Sequence, residues 1–172
     1  MISSVQEKFI FVTTADGSPT LRFRLDNGAS ESEAMHSLKG ALSETQYIYG
    51  TAMELALAQG FAPKILSLGL GIGYVEILAA AVICKHAQHH PDVLEQVYGE
   101  SFELDADLRQ YFLLWATCKD EDYNIHSIGE GKEDSEPVAK QFEQSMNREQ
   151  LLPMEFFELY QQILFSTAKF LD

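Results

Sequence analysis

The sequence is poor in cysteine and in basic residues, and each of these two shortages excludes a class of protein. Its 172 residues include two cysteines and one tryptophan, and 12 basic residues stand against 26 acidic ones, which gives a formal net charge of -14. So acidic a chain is not attracted nonspecifically to nucleic acid or to anionic membranes, and a polyanionic partner would need a local basic patch. Cys84 and Cys118 have no further ligand at zinc spacing, so we interpret them as reduced thiols of a cytoplasmic protein.

Long apolar runs are also missing. The N-terminus lacks a basic region followed by a long apolar stretch, and Glu76 interrupts the most apolar segment, residues 72–84. The sequence therefore predicts neither a secretory signal nor a membrane span. Hydrophobic residues make up 46% and charged residues 22% of the chain, which excludes an intrinsically disordered or coiled-coil protein. The length favours one domain over residues 1–172.

The first part of the chain, residues 1–40, is predicted to form a β-hairpin and a loop. Segments 8–13 and 20–25 are rich in β-branched and aromatic residues, and they flank the turn formers Asp16-Gly17-Ser18-Pro19. Two such segments around a short turn are typical of an antiparallel strand pair.

The second part, residues 41–119, is predicted to form the core of an α/β fold. Its predicted elements are a helix over 43–59, a strand over 64–68, a helix over 74–85, a strand over 98–104 and a helix over 106–119. The strand over 64–68 is a short apolar run and is predicted to be buried, and the helix over 74–85 is apolar on nearly every face, as expected of a helix covered on all sides. The first helix has a predicted apolar face of Tyr47, Ile48, Met53 and Leu57. Ser43 with Gln46 three positions later matches a capping box for the first helix, and Gly60 ends it. Strands that alternate with helices favour a parallel sheet with right-handed crossovers.

The third part, residues 120–172, is predicted to be an acidic loop followed by C-terminal helices. It carries twelve acidic and four basic residues, a net charge of -8 out of -14. We interpret residues 120–136 as a solvated excursion around a short strand. Pro153 then opens a helix whose apolar stripe runs to Ala168, and Phe170-Leu171-Asp172 ends this helical pattern.

Glycines at alternate positions, Gly69, Gly71 and Gly73, separate the strand over 64–68 from the helix that follows. Such a turn can adopt positive φ values and has no Cβ atoms in the way, so a nucleotide-like ligand can approach the backbone amides. Tyr74 stands where the dinucleotide fingerprint needs glycine or alanine, which disfavours a nicotinamide cofactor, and the Gly-Lys-Ser/Thr end of a P-loop is missing. Taken alone, the glycines are equally consistent with tight packing.

A carboxylate at the end of the next strand would complete a nucleoside site, because it can accept hydrogen bonds from both hydroxyls of a ribose. Glu103 fits this role, and Asp105 is the alternative. The apolar alternation of the strand ends at Glu103, whereas Asp105 precedes the next helix as an N-cap would. We therefore favour Glu103 as the ribose ligand.

Other polar residues have simpler interpretations. A metal site among the histidines of segment 86–90 is disfavoured, because Pro91 ends the helix and no carboxylate or cysteine partner is evident. His36, an isolated histidine in a loop, is more often solvated or bonded to the backbone than a ligand. Glu44 lies in the first turn of its helix, where the helix dipole favours an acid in any case.

The glycine turn together with Glu103 resembles the S-adenosylmethionine (SAM) site of class I methyltransferases. The segments SPTL at 18–21, EAMHS at 33–37, GALSETQYIY at 40–49 and SLGLGIGYVE at 67–76 resemble the methyltransferase domain of the bifunctional enzyme that makes 5-methylaminomethyl-2-thiouridine in tRNA, and its stand-alone relatives. The resemblance covers about residues 16–115. It implies a Rossmann-like sheet and a SAM-dependent, metal-free methylation of an amine on a wobble uridine of tRNA.

The resemblance also implies roles for single residues. The implied cofactor site consists of Gly69, Leu70, Gly71, Gly73, Glu103, Leu104 and Glu44, with His36 on the substrate side. The class usually has an acid where Ser67 stands, and an Asp-x-Phe-like motif after a later strand, for which Asp172 is the late candidate. We therefore expect an incomplete sheet in a truncated or reduced enzyme. The alternative is an inactive module whose open sheet edge and apolar face promote homodimerisation or docking of a partner chain.

Overall fold

The computed structural model of the chain describes residues 8–24, 32–117, 144 and 169–170. Within these ranges the architecture is α/β, with a two-stranded antiparallel sheet, a three-stranded parallel sheet and four α-helices. The strands are β1 (Phe9–Thr13), β2 (Pro19–Phe23), β3 (Lys64–Leu68), β4 (Tyr98–Phe102) and β5 (Lys169–Phe170). The α-helices are α1 (Ala41–Thr45), α2 (Thr51–Ala58), α3 (Tyr74–Ala87) and α4 (Ala106–Thr117). The predicted order of strand, glycine turn, helix, strand and helix in the core is confirmed.

The predicted N-terminal hairpin, β1 and β2, is present, and its turn also caps α1. The first three amides of α1 donate to side chains of the turn: to Thr14 Oγ1 over 3.3 Å, to Ser18 Oγ over 3.0 Å and to Asp16 Oδ2 over 3.0 Å. Ser43 is the third residue of α1, and its hydroxyl donates to Asp16 over 2.9 Å. The predicted capping box of Ser43 and Gln46 is therefore wrong, because distant side chains satisfy the amides that a helix end leaves open.

A π-helical turn, Gln46–Gly50, joins α1 to α2. Its wider turn shifts the direction in which later side chains point, relative to a continuous α-helix. The predicted apolar face is wrong at Tyr47 and Ile48, which are exposed, and right at Leu57, which is buried. Gly60 follows α2 with a φ of 82°, as expected of a glycine that ends a helix.

Helix α3 forms the centre of the hydrophobic core. Every residue from Ile77 to Cys84 is buried, as the sequence predicts for a helix that is apolar on nearly all sides. It contacts α1, the π-helical turn, α2 and the 3-10 helix Pro91–Gln96. The core also includes Phe9, Leu21, Leu42 and Phe112. Each fully buried side chain of this size contributes about 1.5–3 kcal/mol.

The parallel sheet has the spatial order β3-β4-β5. Alternation along the strands buries Ser67 and Ser101, whereas Leu66, Leu68 and Phe102 lie on the opposite face. Leu66 and Leu68 are 64% and 77% exposed, so the prediction of a buried strand over 64–68 is wrong for this face. A parallel strand is buried on both sides only where other elements pack on each side.

The strand β5 corrects the prediction for the last residues of the chain. Lys169 and Phe170 pair in parallel with Glu100 and Ser101 of β4, so these two residues do not end a helix as expected. The local sequence pattern favours a helix here, but pairing with β4, which is distant along the chain, stabilises a strand instead. Strand preference depends on the neighbours with which a segment pairs and packs.

Some predictions concern residues outside the described ranges. They are the excursion over 120–136 with its short strand, the helix from Pro153 to Ala168, the residue Asp172, and the thiol of Cys118. Within the described ranges, Cys84 is buried, which raises the pKa of its thiol. In the same part of the chain, no helix has the length and the apolar character needed to cross a bilayer.

Candidate cofactor site

The carboxyl ends of β3 and β4 lie side by side, with Leu68 opposite Phe102. The amides of Gly69 and Leu70 both donate to the Phe102 carbonyl, over 2.9 and 3.0 Å, and so tie the glycine turn to the end of β4. Ligands of open parallel sheets bind outside this end of the strands. The turn and Glu103, the residue after Phe102, are thereby brought together, which a shared site requires.

The three glycines of the turn have different surroundings. Gly73 has a φ of 88°, and a Cβ atom added there would lie 2.0 Å from Cε2 of Phe112. Gly69 has a φ of 85° and no atom within 4 Å of such a Cβ, and at Gly71 the nearest atom is Sδ of Met35 at 4.0 Å. Gly73 is therefore required by packing, whereas the backbone at Gly69 and Gly71 is open to a ligand.

The Glu103 carboxylate faces the glycine turn. Its Oε2 accepts a hydrogen bond from the Gly71 amide over 2.8 Å, and its Oε1 accepts one from the Asp105 amide over 2.9 Å. Asp105 instead caps α4, because its Oδ1 accepts from the amides of Asp107 and Leu108 over 2.9 and 3.3 Å. The N-cap prediction for Asp105 is confirmed. A carboxylate that accepts two hydrogen bonds retains lone pairs for a ligand.

A cavity of about 450 Å³ opens beside Glu103, a size typical of small-molecule sites. It is lined by Phe9, Phe23, Met35, Gly69, Gly71, Glu103, Leu104, Asp105 and Leu108. Leu104 lies on the cavity with a fully exposed side chain, whereas Leu70 is buried and does not line it. Lys8 Nζ lies 3.2 Å from Asp105 Oδ2 and compensates part of the negative charge at this edge.

Sequence reasoning missed four residues of this cavity: Leu108 on α4, and three residues on or beside the hairpin. Phe9 and Phe23 pair across the hairpin, and their rings lie 4.9 Å apart between centroids. The amide of Met35 donates to the Leu21 carbonyl over 2.9 Å, which holds this residue against the hairpin. The only signal in the sequence was the aromatic alternation of the two strands, since nothing local indicates that the hairpin lies at the glycine turn.

His36 and Glu44 line a different cavity, of about 610 Å³, in which Met35 also takes part. Glu44 Oε2 accepts a hydrogen bond from the Ser37 amide over 2.9 Å. The ring of His36 lies 4.6 Å from that of Tyr74, and its Nδ1 is 3.1 Å from Thr20 Oγ1. Burial lowers the pKa of His36, although Glu44 acts to raise it. The structure therefore places these two predicted site residues beside the cavity of Glu103 and not in it.

The histidine-rich segment borders the largest of these cavities, about 770 Å³ between α2, α3 and the 3-10 helix. The rings of His86 and His90 stack with their centroids 4.7 Å apart. Within the described ranges, no three His, Cys, Asp or Glu residues are grouped so that they could hold a metal ion. None of the residues that line this cavity lies at the carboxyl ends of β3 and β4, so the candidate cofactor site remains the one at Glu103.

Comparison with known proteins identified no relative of this chain. No protein-family model, no curated protein and no solved structure matches the chain. The geometry of the site and the motifs of the sequence are therefore the basis on which a function can be proposed.

Proposed function

We propose that the chain binds SAM at the glycine turn and Glu103, on a Rossmann-like sheet, as a methyltransferase of the class I kind. One observation carries the proposal. The Glu103 carboxylate lies 2.8 Å from the Gly71 amide at the ends of two adjacent parallel strands, beside an open cavity. Three elements of nucleoside recognition, an acid, an open backbone and an apolar wall, thus meet at one edge of the sheet.

The residues present fit an adenosyl group. The Glu103 carboxylate has lone pairs left to accept hydrogen bonds from the two hydroxyls of a ribose. Leu104, Leu108 and Met35 offer apolar contacts to a flat base, and Gly69 exposes backbone without a side chain. SAM, when bound, supplies an electrophilic methyl group. The protein contributes mainly by holding donor and acceptor in line, which can account for several kcal/mol of a reaction barrier.

The acceptor in this proposal is an amine of a modified wobble uridine in tRNA, and the protein acts in the cytoplasm. The basis is the upstream resemblance, in particular the segments around Ser18 and His36. An amine attacks only when neutral, so a carboxylate near the acceptor would promote the reaction by taking its proton. With a net charge of -14, the protein would bind tRNA through a local patch and only weakly at high salt.

Titration calorimetry with SAM and with its demethylated product tests the cofactor site. We expect micromolar binding to the wild type and at least tenfold weaker binding to Glu103→Ala, because hydrogen bonds to a charged group contribute about 1.5–3 kcal/mol each. Glu103→Gln should fall between the two, and Glu95→Ala, at an exposed glutamate of the 3-10 helix, should bind as the wild type does. The absence of heat at millimolar ligand with folded protein would refute the proposal.

The acceptor needs a separate experiment. Methyl transfer from labelled SAM is measured with tRNA that carries the aminomethyl group and, as a control, with the same tRNA without it. We expect incorporation only into the first. Binding of SAM without any incorporation, and without tRNA binding at low salt, would remove tRNA from the proposal and leave the cofactor site in place.

A second candidate, a noncatalytic assembly module, is favoured by the exposed apolar face of the parallel sheet. Leu66, Leu68 and Phe102 lie together on this face, and exposed apolar patches often mark contacts between chains. Such a module would form a homodimer or bind a partner chain. Sedimentation of the wild type and of Leu66→Ser/Leu68→Ser tests it, because a dimer that persists in the double variant does not use this face.

A further inference from the structure

Glu76 is a buried acid that the proposed site does not use. It is the third residue of α3, and only 3% of its surface is exposed. Its Oε1 accepts a hydrogen bond from Ser101 Oγ over 2.6 Å, while Oε2 has no hydrogen-bond partner. Burying a carboxyl group in an otherwise apolar helix destabilises the fold relative to an apolar residue, so its presence calls for a reason other than stability.

The surroundings of Glu76 connect it to both halves of the candidate site. Ser67 and Ser101 are register partners in β3 and β4, and both face α3. Ser67 lies two residues before Gly69, and Ser101 lies two residues before Glu103. A carboxyl group between these serines therefore joins the helix that starts at the glycine turn to the two strands that lead to the turn and to Glu103.

We propose that Glu76 is a positioning residue: in its neutral form, hydrogen-bonded to Ser101, it holds the ends of β3 and β4 against α3 and so sets the 2.8 Å contact between the Gly71 amide and Glu103. The inference depends on the proposed function, because the ligand whose affinity it affects is the adenosyl group. Ionisation would place a charge beneath the glycine turn, close to the Glu103 carboxylate, and weaken that affinity.

The charge balance around Glu76 supports the neutral form. Burial has the largest effect and raises the pKa of Glu76. The hydroxyls of Ser101 and Ser67 and the backbone amide of Glu76 act to lower this pKa, and the negative charge of Glu103 raises it. The net direction is upward from the ordinary value of 4.5. Among the described residues that act on the Glu76 carboxyl group, the charged one is Glu103, and none is a cation that would stabilise an ionised Glu76.

The test compares the wild type with Glu76→Gln, which is uncharged at every pH and has a similar shape. The probe is 5′-methylthioadenosine, which lacks the amino-acid group of SAM and has no group that titrates between pH 6 and 9. We expect its Kd for the wild type to rise at least threefold between the pH at which Glu76 is neutral and the pH at which it is ionised, both located by urea unfolding against pH, and its Kd for Glu76→Gln to stay constant. Glu54→Gln, at a partly exposed acid paired with Lys85, should keep the wild-type profile. Parallel profiles for the wild type and Glu76→Gln would overturn the inference.

Two further measurements distinguish the positioning role of Glu76 from an effect on stability, and distinguish a failure of this inference from a failure of the proposed cofactor site. Ser101→Ala removes the hydroxyl that holds Glu76, and we expect a three- to tenfold weaker affinity for 5′-methylthioadenosine at pH 7; unchanged affinity would contradict the positioning role.

Urea unfolding measured against pH reports the protonation of Glu76 without any ligand. Since the folded pKa exceeds the unfolded one, the wild type should lose stability relative to Glu76→Gln as the pH rises above about 4.5. If this loss is seen but no adenosyl compound binds, the proposed function fails and the buried neutral acid remains.

Discussion

Replacement of Gly73 by alanine tests how tightly the glycine turn packs against α4. The backbone at Gly73 has a φ of 88°, and the new Cβ would lie 2.0 Å from Cε2 and 2.2 Å from Cδ2 of Phe112. The left-handed conformation costs an L-residue about 1–2 kcal/mol. The ring of Phe112 is itself buried and cannot move freely, which adds the roughly 1–3 kcal/mol of an overpacked core. We expect a total loss of about 2–5 kcal/mol.

Gly60→Ala is the matched control for this variant. Gly60 has a φ of 82°, and no atom lies within 4 Å of an added Cβ, so only the conformational cost of about 1–2 kcal/mol applies. The entropy that alanine removes from the unfolded chain is the same in both variants and cancels in the comparison. At about 3 °C per kcal/mol for a chain of this length, Tm should fall by about 6–15 °C in Gly73→Ala and by about 3–6 °C in Gly60→Ala.

The assay is thermal and urea unfolding of the full chain, followed by circular dichroism. The double variant Gly73→Ala/Phe112→Leu separates the clash from the backbone strain, because a smaller side chain at 112 makes room for the new methyl group. The double variant should be more stable than the sum of the two single changes predicts, by about 1 kcal/mol or more. Equal losses in Gly73→Ala and Gly60→Ala, or strict additivity in the double variant, would refute the packing argument.

Three other substitutions test a helix cap, a buried hydrogen bond and an exposed strand face. Asp16→Ala removes side-chain acceptors from the start of α1 and should cost about 1–2 kcal/mol in urea unfolding, as loss of a helix cap does. Although partial burial acts against it, hydrogen bonds from Ser18, Ser43 and Thr14 hold the pKa of Asp16 well below its usual range. The wild type should therefore lose stability relative to Asp16→Ala as the pH falls below about 3.8, and equal losses would contradict this role. Tyr74→Phe leaves the Pro19 carbonyl without its buried donor and should lower the unfolding free energy by about 1–2 kcal/mol; no change would mean that the bond is not formed in solution. Leu68→Ser should change stability by less than about 0.5 kcal/mol, and a larger loss would show that the exposed face is covered in solution.

The candidate site could be predicted only in part from the sequence. The glycine turn and the acid after β4 follow local patterns, and parallel pairing of the two strands brings them to one edge. Glu44 and His36 were expected near the same ligand, but the structure places them at a neighbouring cavity. No local pattern records the angle at which one element crosses another, and that angle decides which side chains share a cavity.

The sequence by itself determined the elements of the core and their order, because hydrophobic periodicity and glycine spacing act over a few residues. It also determined the hairpin and the N-cap role of Asp105. Only the tertiary structure decided that the hairpin turn caps α1, that one face of β3 is exposed, that residues 169–170 pair with β4, and that Glu76 lies against Ser101. Each of these depends on partners that are distant along the chain. A short stretch of sequence determines its own backbone preference but not the groups that will satisfy its polar atoms or cover its apolar ones.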